Sequence, residues 1–207
     1  MIDNTKPLVV IIDDDLPDNY PLPKYLKNAY GNENVFLFKY PAEGVKFIEE
    51  NLSSRIIVIL DIMFDGRAIG LEVFDHLVDK SSLICVIIMT GNIENTARED
   101  LVKLINGHAW YLVQRDKPAK EIMALVKRAQ DHIDTRIDGA LEQWIARQKP
   151  EDQQKPFLTT REGESYSLLD ILHSIRTGED EIGQEMAKNI TSLAISMLAR
   201  DRSRIGN

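Results

Sequence analysis

The stretch Arg55–Leu77, RIIVILDIMFDGRAIGLEVFDHL, carries the local patterns that decide the fold. Its first part, Arg55–Leu60, is a short and mostly β-branched apolar run, which is typical of a strand buried on both faces. Asp61 follows directly. The apolar residues that come after the loop at helical spacing are Leu71, Phe74 and Leu77. The stretch therefore predicts a buried strand, an acidic loop and a helix packed against the strand.

The same alternation recurs along the first two thirds of the chain. The other strand-like runs are Leu8–Ile12, Val35–Tyr40, Leu83–Met89 and Trp110–Val113. Segments with helical spacing lie between them, and the last such segment starts at Pro118. In the first connection, Pro17, Pro21 and Pro23 delay any helix until about Pro23. Five strands that alternate with helices predict an α/β fold with a five-stranded, doubly wound parallel sheet.

Composition and charge narrow the classes of function. The 207 residues include 33 acidic and 25 basic side chains, which gives a formal net charge of −8. This balance argues against unspecific binding to nucleic-acid backbones or anionic membranes. No apolar run approaches the ~20 residues of a membrane span, and the N-terminus lacks the pattern of a signal peptide. The single cysteine, Cys85, excludes an intramolecular disulfide, so we expect a cytoplasmic protein without a membrane partner.

Polar side chains follow three of the predicted strands. Asp13 and Asp14 follow the first, Asp61 the third and Thr90 the fourth. In doubly wound sheets the carboxyl ends of the strands meet at one site, so these side chains are expected to converge. Such hard oxygen ligands suit Mg²⁺. Asp61 could then act as a nucleophile that forms an acyl phosphate.

The order and spacing of these residues resemble the receiver domains of two-component response regulators. Those domains carry an acidic pair after strand one, an aspartate after strand three, Thr or Ser after strand four and an aromatic residue on strand five, here Tyr111. The segment LDIMFDGRAIGLEVFDHL also resembles the family's LDxxMPxxxGxE motif. The resemblance extends from about Leu8 to Arg128 and implies a flavodoxin-like fold.

The resemblance also implies a role for each matching residue. Asp61 would be the phosphoacceptor. The Mg²⁺ ligands would be Asp14 directly, Asp13 indirectly, Asp61 and the backbone carbonyl of Met63. Thr90 would move toward the phosphoryl group, and Tyr111 would change its rotamer in response. The phosphoryl donor would be a histidine kinase or a phosphotransfer protein. The chain would not be an enzyme beyond self-phosphorylation and slow autodephosphorylation.

Three features depart from the family pattern. Gln114 stands where receivers place a lysine after strand five, and it could donate a hydrogen bond but brings no charge. Arg115 or Lys117 could replace that lysine if the alignment slips. Asp65 replaces the usual proline in a loop that is one residue longer, and the first connection is rich in proline.

The pattern predicts three parts, a receiver at 1–130, an extension of its last helix at 131–150 and a small helical module at 151–207. Helical spacing continues from Pro118 to Pro150, which predicts one helix of about thirty residues. A break near Gly139 is the alternative. The apolar stripe from Ile133 to Trp144 would lie beyond the sheet, so we expect a homodimer through this helix.

The last part begins with a polar linker, RQKPEDQQKP. Ser167 and Asp170 resemble a capping box that opens a short helix. A final helix is expected from about Glu179, with an apolar stripe formed by Ile182, Met186, Ile190, Leu193 and Met197. The histidine of this part, His173, is expected on the surface of the short helix and not as a phosphotransfer group.

The sequence therefore predicts a response regulator whose output is protein–protein interaction through its helical C-terminal part. Two alternatives stay open. One is a degenerate receiver that never carries phosphate and acts as a scaffold, which would fail to bind Mg²⁺. The other is a transcriptional regulator with an atypical helical DNA reader, which would bind DNA in a salt-dependent manner. The acidic excess of the C-terminal part argues against DNA.

Overall fold

Five parallel strands form the sheet in the computed structural model, which describes residues 6–17, 19–78, 80–91, 93, 96–107, 109–160, 163–177 and 181–200. The strands are β1 (Leu8–Ile12), β2 (Val35–Phe38), β3 (Ile56–Leu60), β4 (Ile84–Thr90) and β5 (Tyr111–Gln114). Their order is β2-β1-β3-β4-β5. This confirms the predicted α/β fold. Every residue of β1 and β3 is buried, which explains why these segments are continuous apolar runs.

The chain divides into two units, Met1–Asp134 and Thr135–Asn207. The helices of the first unit are α1 (Pro21–Tyr30), α2 (Pro41–Glu49), α3 (Ile69–Val78), α4 (Arg98–Asn106) and α5 (Ala119–Thr135). Helices α1 and α5 share one apolar core with the sheet, and α2, α3 and α4 share the other. Helix α1 begins slightly earlier than predicted because proline suits the first turn.

The topology brings two acidic residues together at the carboxyl ends of two neighbouring central strands. Strands β1 and β3 are neighbours, although β2 lies between them in sequence. The amide of Asp13 donates a hydrogen bond to the carbonyl of Phe38, and the amide of Asp61 donates one to the carbonyl of Ile12. The residues that directly follow β1 and β3 are thus tied to the sheet. Their side chains occupy the switch point where doubly wound folds place their sites.

Gly70 allows the start of α3 to pack against the backbone that follows β3. A Cβ atom at this position would collide with the carbonyl oxygen of Asp61 and lie 2.7 Å from the Cα of Ile62. The Gly70 amide donates a hydrogen bond to the Ile62 carbonyl at 2.9 Å. The glycine is therefore required by a close backbone approach beside Asp61.

The second unit contains more than the predicted helices. Its elements are α6 (Ile137–Ala146), α7 (Pro150–Gln153), β6 (Pro156–Thr159), β7 (Ser165–Ser167), α8 (Leu168–Thr177) and α9 (Glu181–Arg200). Strands β6 and β7 form an antiparallel pair that the sequence analysis missed. The stretch predicted to be a polar linker also contains the short helix α7. Leu141, Ile145, Leu168 and Leu172 form the apolar core of this unit.

The predicted single helix after Pro118 is wrong. Helix α5 ends at Thr135, and Arg136 has extended backbone with φ −77° and ψ 138° before α6 begins. Ile133 is 2% exposed in the core of the first unit, while Leu141 packs against the core of the second and Trp144 is 46% exposed. The predicted apolar stripe is thus divided between two helices and two units. The break lies nearer to Gly139, the alternative position, than to either end of the predicted helix.

The predicted capping box at the start of α8 is confirmed. The Asp170 amide donates to the Ser167 hydroxyl at 3.2 Å, and the Ser167 amide donates to the Asp170 carboxylate at 2.8 Å. His173 is exposed on this helix. The predicted helix start at Glu179 lies outside the described residues. None of the described helices is long and apolar enough to cross a membrane.

Replacement of Gly70 by alanine should destabilise the first unit. The added Cβ would force the α3 backbone away from Asp61, and overpacking of this kind costs about 3 kcal/mol of unfolding free energy. Urea unfolding of Gly70→Ala and of Gly91→Ala would measure the effect. Among the described residues, no heavy atom lies within 4 Å of a Cβ atom at Gly91, so that variant should change stability by less than about 0.5 kcal/mol. Equal stabilities for both variants would contradict the explanation.

Candidate functional site

Three carboxylates converge at the carboxyl ends of β1 and β3. Each of Asp13, Asp14 and Asp61 offers one oxygen that lies within 4.8 Å of those of the other two. The Asp13 side chain is fully buried, and Asp61 is 4% exposed. Buried Thr90, at the end of β4, lines the same cleft of about 950 Å³ as Asp61. The structure therefore brings together the acidic residues and the threonine that the sequence predicted.

Backbone amides hold each carboxylate in place. One oxygen of Asp13 accepts a hydrogen bond from the amide of Asp15 at 3.0 Å. One oxygen of Asp61 accepts a hydrogen bond from the amide of Ile62 at 2.9 Å. Asp14 accepts one from the amide of Asp65 at 3.1 Å, in a turn where Asp65 has a positive φ of 49°. The loop after Asp61 thus contributes an amide to the site, and its extra carboxylate is exposed.

Arg115 supplies the positive charge of the pocket. Its Nη2 atom lies 2.9 Å from the Oδ2 atoms of both Asp13 and Asp61. The contact with Asp61 is also a hydrogen bond, whereas Asp13 Oδ2 is buried without a hydrogen-bond partner among the described residues. The Nη1 atom of Arg115 lies 3.5 Å from the Oδ2 atom of Asp15, the third residue of the acidic run. One guanidinium nitrogen therefore bridges the two most buried carboxylates.

Gln114, the residue predicted to replace the family's lysine, does not line this cleft. Gln114, Lys117 and Tyr111 line a second, smaller cleft beside α5. Gln114 is the last residue of β5 and pairs with Thr90, and the following residue, Arg115, donates its amide to the Thr90 carbonyl. Adjacent residues at a strand end project to opposite sides. The prediction for Gln114 is therefore corrected, and Arg115, one of the two alternatives, lies at the carboxylates.

Tyr20 is a further residue of the site that sequence analysis missed. Its hydroxyl donates a hydrogen bond to the carbonyl oxygen of Arg115 at 2.8 Å. Its amide donates to the carbonyl of Pro17, and its ring packs against the core shared by α1 and α5. The proline-rich first connection thus forms a turn that carries Tyr20 to the end of β5. No local pattern could indicate this contact, because 95 positions separate the two residues.

Burial raises the pKa of both central carboxyls. It raises the pKa of Asp13 from 3.8 to about 6, although the Arg115 guanidinium partly offsets this change. Burial also raises the pKa of Asp61, while Arg115 and the amides of Ile62 and Met63 act in the opposite direction. Without the Arg115 guanidinium or another cation beside them, the two buried carboxylates would repel each other when both are ionised.

The residues present fit a divalent cation. Three carboxylates provide hard oxygen ligands, which Mg²⁺ prefers, and the buried Asp13 Oδ2 atom has no hydrogen bond from the described residues. Met63 lines the cleft, and its backbone carbonyl remains a predicted ligand. The oxygens that face Arg115 are among those a cation would need. The guanidinium and a cation therefore require the same carboxylates.

Comparison with known proteins agrees with the fold. No protein-family model and no curated protein matches the sequence. Among solved structures, a response regulator receiver domain protein (CheY-like) from Methanospirillum hungatei JF-1 is similar, with a TM-score of 0.50 and 18% identity over 61% of this chain and 95% of that one. The chain has the receiver fold. The N-terminal domain of an uncharacterized protein from Wolinella succinogenes is also similar, with a TM-score of 0.50 and 17% identity over 62% and 96% of the two chains. The helical C-terminal part of the chain is not identified by these comparisons.

The raised pKa of Asp13 predicts how stability depends on pH in the metal-free protein. The contribution of Asp13 to the unfolding free energy is fully present below the unfolded pKa of about 3.8. It is lost as pH rises through the folded pKa of about 6. Asp13→Asn should therefore increase the unfolding free energy by about 1–2 kcal/mol at pH 8 and by much less at pH 4. Urea unfolding in the presence of a chelator measures this difference.

Asp65→Asn is the matched control, because that carboxylate is exposed in the cleft that Asp61 also lines. The control should show no comparable difference between the two pH values. A gain for Asp13→Asn that is the same at pH 4 and pH 8 would mean that ionisation of Asp13 is not the cause.

Proposed function

We propose that the protein is a two-component response regulator in which Asp61 accepts a phosphoryl group in the presence of Mg²⁺. The observation that supports this best is the position of the Asp61 carboxylate. It lies at the end of β3, within 4.8 Å of two further aspartates, and borders an open cleft. The donor would be a histidine kinase or a phosphotransfer protein, as the resemblance to receivers implies.

In the proposed reaction, a carboxylate oxygen of Asp61 forms a bond to the phosphorus of the donor. The bond between phosphorus and the donor's leaving atom breaks, and the leaving group departs with the electron pair and takes a proton from water. Asp13 and Asp14 would hold Mg²⁺ beside Asp61, and bound Mg²⁺ would neutralise charge on the transferring group. Thr90 lies buried at the same cleft, where its hydroxyl could donate a hydrogen bond to the product.

Intact-mass spectrometry after treatment with acetyl phosphate and MgCl₂ tests this proposal. The native protein should gain the mass of one phosphoryl group, and Asp61→Asn should gain none. Asp65→Asn is a matched control, because Asp65 lines the same cleft but is exposed and should not be the acceptor. An unmodified native protein, or a modified Asp61→Asn, would refute the assignment of Asp61. Addition of beryllofluoride to the native protein provides an independent measure of the same site.

A second candidate function is a scaffold that never carries phosphate. Arg115 favours it, because the guanidinium already acts as a shared counter-ion for Asp13 and Asp61 without help from any ligand. In that case the pocket would be a structural ion pair, and neither MgCl₂ nor acetyl phosphate would change the protein. The mass experiment distinguishes the two functions directly.

The output would be protein–protein interaction through the second unit. Leu193, Ile195 and Met197 on α9 are each 62% exposed. No charged residue occurs between Lys188 and Arg200, so this part of α9 could pair with a second copy without burying charge. The proposed homodimer therefore rests on α9, because the stripe of the predicted long helix is divided between two helices and two units.

Light scattering of the full chain tests the homodimer. A dimer is expected at micromolar concentration, and Leu193→Glu should convert it to monomer because a charge would be buried at the contact. Val102→Glu alters an exposed apolar residue of α4 in the first unit and should leave the dimer intact. A monomeric native protein would refute the proposal. Loss of the dimer in Val102→Glu alone would place the contact on the receiver.

A further inference from the structure

Arg115 is held at its backbone from two sides. Its amide donates a hydrogen bond to the carbonyl of Thr90 at 2.9 Å, and its carbonyl accepts one from the hydroxyl of Tyr20 at 2.8 Å. The Tyr20 bond joins the first connection to the end of β5. The base of the arginine side chain is therefore fixed at the edge of the acidic pocket, and only the side chain itself can change direction without breaking these bonds.

The guanidinium occupies oxygens that a divalent cation would need. A single nitrogen, Nη2, lies 2.9 Å from one oxygen of Asp13 and from one oxygen of Asp61. The Arg115 side chain is only 18% exposed. The guanidinium carries a permanent positive charge in proteins. It can only be moved away.

A divalent cation and the guanidinium would repel each other if both contacted these carboxylates. Repulsion between charges a few ångströms apart is strong in a partly buried pocket, where water screens poorly. Entry of the cation therefore requires that Arg115 give up its contacts with Asp13 and Asp61. The loss of these charge-assisted contacts reduces the net affinity for the cation.

We propose that Arg115 is a tethered cation that competes with divalent cations for Asp13 and Asp61, and that Tyr20 is a positioning residue that fixes Arg115 in this place. The inference rests on the proposed function in one respect, that the acidic pocket binds Mg²⁺. It adds that the protein itself weakens this binding. The pocket would then be filled by its own side chain until the metal concentration or a phosphoryl donor shifts the balance.

Calorimetric titration of MgCl₂ into the full-length protein tests the competition. Arg115→Met retains most of the aliphatic stem but removes the charge, and it should lower the Kd for Mg²⁺ at least about tenfold. Arg115→Lys retains a cation and should remain within about threefold of the native protein. Lys117→Met removes a nearby charge that lies in the other cleft, and it should leave the Kd unchanged.

The role of Tyr20 is tested by Tyr20→Phe, which removes the hydroxyl but retains the ring in the core. Loss of one hydrogen bond should lower the Kd for Mg²⁺ by about two- to fivefold. If Tyr20 acts through Arg115, then Tyr20→Phe should have no further effect when it is combined with Arg115→Met. An equal effect in both backgrounds would refute the positioning role.

Thermal unfolding provides a control for variants that fold poorly. Arg115→Met leaves buried carboxylates without their counter-ion, so added MgCl₂ should raise its Tm more than it raises that of the native protein. An Arg115→Met variant whose Kd and Tm respond to MgCl₂ no more than the native protein's would overturn the competition. The absence of Mg²⁺ binding in both proteins would overturn it as well.

The acetyl phosphate experiment separates this inference from the proposed function. Tighter Mg²⁺ binding by Arg115→Met together with an unmodified Asp61 in the native protein would support the tethered cation and refute the phosphoacceptor. A phosphorylated native protein with an unchanged Kd in Arg115→Met would refute the tethered cation alone.

Discussion

Repulsion among the buried carboxylates at the carboxyl ends of the central strands is the constraint on which the rest of the site depends. Parallel packing places the ends of β1 and β3 side by side, so Asp13 and Asp61 lie close together with little access to water. Ionised carboxylates in such surroundings require nearby positive charge or hydrogen-bond donors. Arg115 provides the charge, and the amides of Asp15 and Ile62 provide the donors. The fold thus brings the acids together and also supplies what makes their burial possible.

The backbone around this pocket leaves little freedom. Gly70 allows α3 to press against the carbonyl of Asp61, and the Tyr20 hydroxyl holds the chain after β5. The proline-rich first connection, which departs from the family pattern, has a structural role because it delivers Tyr20. These contacts hold the backbone of Arg115, so the proposed competition with a cation would involve its side chain alone.

The second unit differs from the first in how it is stabilised. Its apolar core is small, and a capping box fixes the start of α8. Gly183 allows α9 to approach the backbone of Ser174 closely. The later part of α9 exposes apolar residues, whereas the sheet of the first unit is covered on both faces. An exposed apolar surface of this kind is typical of a segment that binds another protein.

The sequence by itself determined the five strands, their parallel arrangement and the identity of the clustered acids. Buried parallel strands leave continuous apolar runs, and a polar residue that directly follows such a run lies at a known edge of the sheet. Only the tertiary structure decided that Arg115 and not Gln114 enters the pocket. Successive side chains of a strand point to opposite faces, so a shift of one residue along the chain changes which side chain faces the pocket. The tertiary structure also decided the contact of Tyr20 and the helix break at Arg136. These features depend on which distant segment lies beside each residue, and local periodicity reports only that a residue is buried, not what buries it.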